Sequence, residues 1–177
     1  MKQALFRLII LFLLSSCNPS QPRRPISNNS GTFFHASVKR NIQLNKFEYD
    51  KIKAIVEDSS KVILNSNYGF WYYYNKKLES STNYPKFGDQ VQYKYDVKTL
   101  ENELIYSEKE LGILNYFIDQ EELFSGLREG LKLMKEGEVV TFIFPSQTAY
   151  GYYGDNNQIG RNQPLICQVT LIKHQIN

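Results

Sequence analysis

Thiol and imidazole chemistry are nearly absent from this chain, whose 177 residues include two cysteines and two histidines. Cys17 and Cys167 lie far apart, and so do His35 and His174, so none of the close Cys/His spacings that hold a metal ion is present. Long hydrophobic runs are lacking as well. The apolar stretch from Leu8 to Leu14 has seven residues, whereas a helix needs ~20 to cross the hydrocarbon core of a bilayer. Charge of one sign is concentrated nowhere: the formal net charge is +3, and no Lys/Arg stripe with interleaved rings marks a nucleic-acid surface. Neither a nucleic-acid partner nor a metal site is expected.

Aromatic residues are what the chain has in quantity, with Tyr 13 and Phe 11 against Met 2 and Trp 1. Rings pack well on the pleated surface of a strand, so the composition favours sheet over a helical bundle. The N-terminus follows a different logic. Lys2 and Arg7 precede the short apolar run, the order of a secretion signal. Leu14-Ser15-Ser16-Cys17 follows and has the form of a bacterial lipobox, an aliphatic residue and two small ones before the cysteine that receives lipid. The expectation is a signal peptide over 1–16, a lipidated Cys17, and attachment to a bilayer in the bacterial cell envelope, facing the periplasm. Acyl chains contribute ~0.8 kcal/mol per buried methylene, which makes several chains a stable anchor. Ordinary signal cleavage, with Cys17 incidental, is the alternative. Loss of residues 1–16 removes Lys2 and Arg7 and no acid, lowering the formal charge from +3 to +1. With Cys17 acylated, Cys167 has no partner for an internal disulfide.

Residues 17–37 are rich in Pro, Ser, Asn and Gly and read as a disordered tether with a reach of ~25 Å. From Asn45 to Ser60, Phe47, Tyr49, Ile52, Ile55 and Val56 recur at helical spacing among charged residues, which predicts an amphipathic helix packed on this chain's own sheet or against a second copy. Short strands are predicted at Lys61–Asn65, at Phe70–Tyr74 and at Glu103–Ser107. Val91, Tyr93, Tyr95 and Val97 alternate with polar residues, the period-two pattern of a half-buried strand. Asp119 to Met134 carries apolar residues at helical spacing and predicts a helix with Asp119 as N-cap and the Glu121-Glu122 pair near its positive end. Glu138–Phe144 and Pro164–Lys173 complete the strands, separated by a long Gly/Asn/Tyr/Gln loop from Pro145 to Gln163. The fold class is α+β, an antiparallel sheet with a short helix and an N-terminal helix and strand extension over 38–84.

Gly126-Leu127-x-x-Gly130-Leu131-x-x-Met134-x-x-Gly137-Glu138 leads into Phe142-x-Phe144-Pro145-Ser146, then Ala149-Tyr150-Gly151 and Pro164-Leu165. This series resembles the second half of FKBP-type peptidyl-prolyl cis-trans isomerases, over a domain placed at 85–177. Gly69-Phe70-Trp71-Tyr72 and Ala149-Tyr150-Gly151-Tyr152-Tyr153-Gly154 are similar, within that family, to gliding-motility-associated FKBP-type lipoproteins of Bacteroidetes. The resemblance implies an FKBP-like sheet wrapped around a short helix, no cofactor, and proline-containing polypeptides as partners; the sequence leaves the oligomeric state open, with a monomer favoured. It implies Tyr95, Tyr150 and Phe124 as the catalytic set, Tyr150 through its hydroxyl and Phe124 through its backbone N–H. It implies Leu123, Ile159, Tyr106, Ile105, Leu127, Leu114 and Cys167 as the walls and floor that bind substrate. The sequence departs from the family pattern at Ile105-Tyr106, where the family has an aromatic–acid pair, at Leu127, where it has an indole, and at Leu114 and Cys167, where it has aromatics. A Tyr106 hydroxyl could donate to a ligand where an acid would accept. Alone, Tyr95 and Phe124 fit core packing as well as a pocket. The function implied is a membrane-anchored isomerase assisting exported proteins, the gliding machinery among them; a weakly active or inactive module acting as chaperone or assembly factor is the alternative.

Overall fold

The computed structural model of the protein describes residues 30–79 and 83–177. The predicted signal peptide and Cys17 lie outside the described residues, as does the first part of the predicted tether. The chain divides into two units at Val38 and Lys39; the unit from Lys39 to Asn177 contains every strand among the described residues. In order, the elements are α1 (Ser30–Asp58), β1 (Leu64–Asn65), β2 (Trp71–Lys76), β3 (Gln90–Tyr95), β4 (Val97–Lys98), β5 (Leu104–Tyr106), α2 (Glu108–Leu111), β6 (Leu114–Phe117), α3 (Ser125–Leu131), β7 (Val139–Phe144), a 3-10 turn (Ser146–Thr148) and β8 (Leu165–Gln175).

All strand pairs are antiparallel, in the order β1-β2-β7-β8-β3-β6, with β4 bridging β5 and β8. The α+β class holds. Side-chain alternation divides this sheet into two faces. On the inner face Phe70, Val91, Tyr93, Tyr95, Phe142, Phe144, Cys167, Val169 and Leu171 form one core with Leu127 and Leu131 of α3. On the outer face Trp71, Ile143 and Ile166 pack with Leu100 and with Ile52, Ile55 and Val56 of α1. Neighbouring residues of one strand therefore serve different cores, as in Phe142, Ile143 and Phe144. The burial of Val91, Tyr93, Tyr95 and Val97 matches the period-two expectation.

Two helix expectations need correction. The first helix begins at Ser30, so residues 30–37 are helical and not tether. The second is much shorter than Asp119–Met134. Asp119 takes φ +60°, a left-handed turn conformation, and its carboxylate accepts from Lys132 Nζ at 3.1 Å instead of capping a helix. The chain stays non-helical to Phe124, whose extended φ −61°, ψ 142° makes it the residue before the first turn. Apolar spacing over 119–134 was helix-like because a turn and a short helix both face one core.

Gly126 explains how a helix of seven residues fills the inner face. A Cβ there would lie 2.5 Å from the Phe144 ring and 2.7 Å from the Thr148 carbonyl oxygen. Helix and strand approach closer than any side chain permits. Glu138, fully buried, accepts from the backbone N–H of Leu78 at 2.9 Å and of Lys135 at 2.8 Å, tying the segment after β2 to the turn before β7. The Gly137-Glu138 part of the motif is thus scaffold. Among the described residues, no helix is long and apolar enough to cross a membrane.

Candidate active site

The ten positions implied by the family pattern converge. Tyr95, Leu127, Ile159 and Cys167 are buried in the inner core, and Ile105, Tyr106, Leu114, Leu123, Phe124 and Tyr150 are half-buried against it. They come from β3, β5, β6, α3 and its entrance, the long loop and β8, so only the folded sheet assembles them. The Phe124 ring lies 5.1 Å from that of Tyr150 and stands edge-on to Phe144 at 5.3 Å. Its backbone N–H donates to no acceptor among the described residues. One aromatic wall thus carries an open amide donor.

The phenols of Tyr95 and Tyr150 are neighbours on this wall, Tyr95 buried at 6% exposure and Tyr150 half-buried. The hydroxyl of the more exposed Tyr150 donates to no acceptor among the described residues, which leaves its proton free for a ligand. Burial is the main cause that raises the pKa of both phenols, the neighbouring phenol adding to it for Tyr95, so both remain neutral donors across the physiological range. Burial likewise pushes the Cys167 thiol up and removes it from thiolate chemistry.

Tyr106 does not point an available proton at a ligand. Its hydroxyl donates to Asp155 Oδ2 and accepts from Asn157 Nδ2 at 2.9 Å and from the Gln158 N–H at 3.3 Å. Its hydrogen-bonding capacity is used within the protein. The expectation that Tyr106 donates to substrate is corrected on that ground.

Asp155 is the site-adjacent residue the sequence reading missed. Its Oδ1 accepts the backbone N–H of Asn157 and of Ile159, both at 2.8 Å, so one carboxylate fixes the loop bend that carries Ile159 into the core. Gly154 sits where that bend closes, with φ +70° and space for a Cβ only 2.3 Å from the Ile159 carbonyl oxygen. Burial raises the pKa of Asp155, but the Tyr106 hydroxyl and the two N–H donors outweigh it and hold the carboxyl below its ordinary value. An acid absent from β5 thus reaches the same wall from the late loop. The signal was legible as Gly-Asp-Asn-Asn, a turn in which Asp accepts from the residue two positions on.

His174 also differs from its sequence reading as an isolated residue. Its Nε2 lies 2.8 Å from Asp89 Oδ2, and Asp89 accepts as well from the Lys86 and Asn177 N–H groups. These bonds fasten the C-terminal end beside a cleft of about 280 Å³ away from the aromatic wall. Among the described residues no group of three or more His, Cys, Asp or Glu could hold a metal ion.

Comparison with known proteins agrees with this geometry. The model of the family described as FKBP-type peptidyl-prolyl cis-trans isomerase matches residues 81–172. A curated relative, the probable FKBP-type peptidyl-prolyl cis-trans isomerase FkpA of Neisseria meningitidis, is 40% identical over 52 residues, 29% of this chain. The chain spans 19% of the length of that relative. Among solved structures, a peptidyl-prolyl cis-trans isomerase of Pseudomonas syringae pv. tomato has a TM-score of 0.61 at 18% identity, covering 76% of this chain and 95% of that one. FkpA from Escherichia coli has a TM-score of 0.59 at 22% identity, covering 98% and 81% respectively. At these identities the two structures speak to fold.

Proposed function

The chain belongs to the FKBP-type peptidyl-prolyl cis-trans isomerase family, and from that premise we propose that it catalyses cis-trans rotation about X–Pro bonds at the wall formed by Phe124, Tyr150 and Tyr95. Rotation must break amide resonance, a barrier of ~18–20 kcal/mol that leaves the uncatalysed step at tens to hundreds of seconds. The planar amide is the more charge-separated form, so a dry aromatic surface disfavours it relative to the twisted one. A donor on the rotating carbonyl would favour the planar form. The Tyr150 hydroxyl and the Phe124 N–H therefore serve turnover by holding carbonyls of the flanking chain while the proline ring lies against Phe124, Leu127 and Ile159. No group changes its protonation in this step.

The observation that carries the reading is the pair of open donors, Tyr150 O–H and Phe124 N–H, on one aromatic wall. Relaxation of a cis-enriched X–Pro peptide in the presence of the purified protein tests it. Acceleration over buffer is expected; a folded protein that leaves the rate unchanged overturns it. Leu127 and Cys167, both fully buried, give a softer pocket floor than the aromatics of the family pattern. This favours the second reading, a weakly active chaperone or assembly module, for which Leu127→Trp would raise turnover above that of the native chain.

The lipobox at Leu14–Cys17 supports placing this domain on a bilayer in the cell envelope, with exported proteins as clients and gliding machinery among them. Palmitate labelling that disappears in Cys17→Ala tests the anchor independently of catalysis.

A further inference from the structure

A second cleft, of about 470 Å³, opens on the outer side of the sheet, between α1, the turn before β2 and the 3-10 turn. Its chemistry differs from that of the aromatic wall. Three rings face it: Trp71, 9% exposed and covered in part by Tyr49 at 5.4 Å, with Tyr49 and Tyr68 themselves 51% and 54% exposed. Four amides, those of Asn45, Asn65, Asn67 and Gln147, line the same space, and none of them makes a side-chain hydrogen bond among the described residues. At the base lies Glu48, 6% exposed, whose two carboxylate oxygens accept from the Ser146 N–H at 3.0 Å and the Ser146 Oγ at 2.8 Å. Each of those oxygens retains a further acceptor site.

Several ligand classes are excluded by this lining. No Lys or Arg contributes to it, so an anion would meet Glu48 with no counter-charge. Aside from Pro145 it has no aliphatic residue, and Leu, Ile and Val sockets for the side chains of a peptide are missing. In a cage for an alkylammonium group several open ring faces surround the cation; here the Trp71 face is partly covered by Tyr49 and amides outnumber rings. Rings offering open faces, planar amides that both donate and accept, and a buried carboxylate suit vicinal hydroxyls on a ring whose C–H face is apolar.

We propose that this cleft is a binding site for a neutral saccharide. A pyranose stacks on Tyr68 or Tyr49, its hydroxyls pair with the free amides, and one of them donates to Glu48. Ser146, gripped by Glu48, begins the turn that leads to Tyr150, so one turn connects the two sites and they share no residue.

Trp71 is the chain's single tryptophan and lines the cleft, so its emission reports occupancy directly. The protein is titrated with maltotriose, cellotriose and N-acetylated chitotriose, and with choline as the competing class. A saturable emission change with at least one saccharide is expected, weakened about ten-fold in Asn67→Ala and in Tyr68→Ala, the worth of one lost hydrogen bond or ring contact. Asn67 is exposed and makes no side-chain bond, so its variant folds, as circular dichroism verifies. The proposal fails if no saccharide changes the emission, if choline alone does, or if both variants bind as the native chain does.

Discussion

The two faces of the sheet are covered by helices of opposite economy. On the inner face, α3 has seven residues and buries four of them, Gly126, Leu127, Gly130 and Leu131. On the outer face, α1 has 29 residues, yet Ile52 is the apolar side chain it buries completely, with Ile55 and Val56 half-covered and Phe47 left 60% exposed. Helix length is therefore no measure of core. What decides is approach distance: a Cβ would come to 3.0 Å from the Phe142 ring at Gly130 and to 2.5 Å from the Phe144 ring at Gly126, so α3 sinks into the sheet while α1 rests on it. Dispersion falls steeply with separation, and a close helix gains more per residue. The inner face also holds the aromatic wall, whereas the outer face contributes its polar cleft and the Glu48 anchor.

The contrast can be tested by damaging each face in turn. Phe142→Ala on the inner face is expected to cost ~3–5 kcal/mol and to abolish turnover with the fold, read by denaturant unfolding and peptide isomerisation. Ile52→Ala, fully buried on the outer face, should cost ~2–4 kcal/mol while the folded fraction isomerises at the native rate. Equal loss of rate per folded molecule would show the faces to be coupled. Gly126→Ala should destabilise by ~1–3 kcal/mol, because Phe144 and the Thr148 backbone must move, and should also raise KM as the Phe124 wall shifts. A neutral outcome would remove the close-approach explanation.

Smaller effects separate chemistry from packing. Tyr150→Phe should lower kcat/KM about ten-fold, one hydrogen bond of ~1.4 kcal/mol, at an unchanged unfolding midpoint. Tyr95→Phe should do less, since its hydroxyl is the more buried of the two and Tyr150 keeps the donor to substrate. Asp155→Asn is the mildest. The folded carboxyl titrates below its unfolded value, so its contribution to stability is fully present above the ordinary carboxylate range and is lost as pH falls through the lower folded value. Melting temperatures of native and Asp155→Asn proteins should hence differ at neutral pH and draw together below about pH 4. A constant gap across that window would mean that the charge on Asp155 plays no part in holding the loop.

How much of this was legible differs by kind of signal. The strands were, because period-two alternation in Val91, Tyr93, Tyr95 and Val97 is imposed by one buried face and needs no knowledge of the partner strand. Helix ends were not. Phe124 and Asp119 are fixed by what they touch across the fold, Phe144 in one case and Lys132 in the other, and neither neighbour is near in sequence. Within the site, Tyr150 and Phe124 were readable from motif spacing, whereas the exchange of roles between Tyr106 and Asp155, 49 positions apart, was not.

By itself the sequence determined the class of the fold, the family and the side chains available to the wall, since hydrophobic period, glycine placement and short motifs are local properties of the chain. Tertiary structure decided which hydroxyl remains free, which acid returns to the pocket, and where an outer cleft opens. Those outcomes depend on hydrogen-bond partners and burial supplied by distant segments, and the Tyr106 proton meets its acceptor Asp155 only when β5 and the long loop come together.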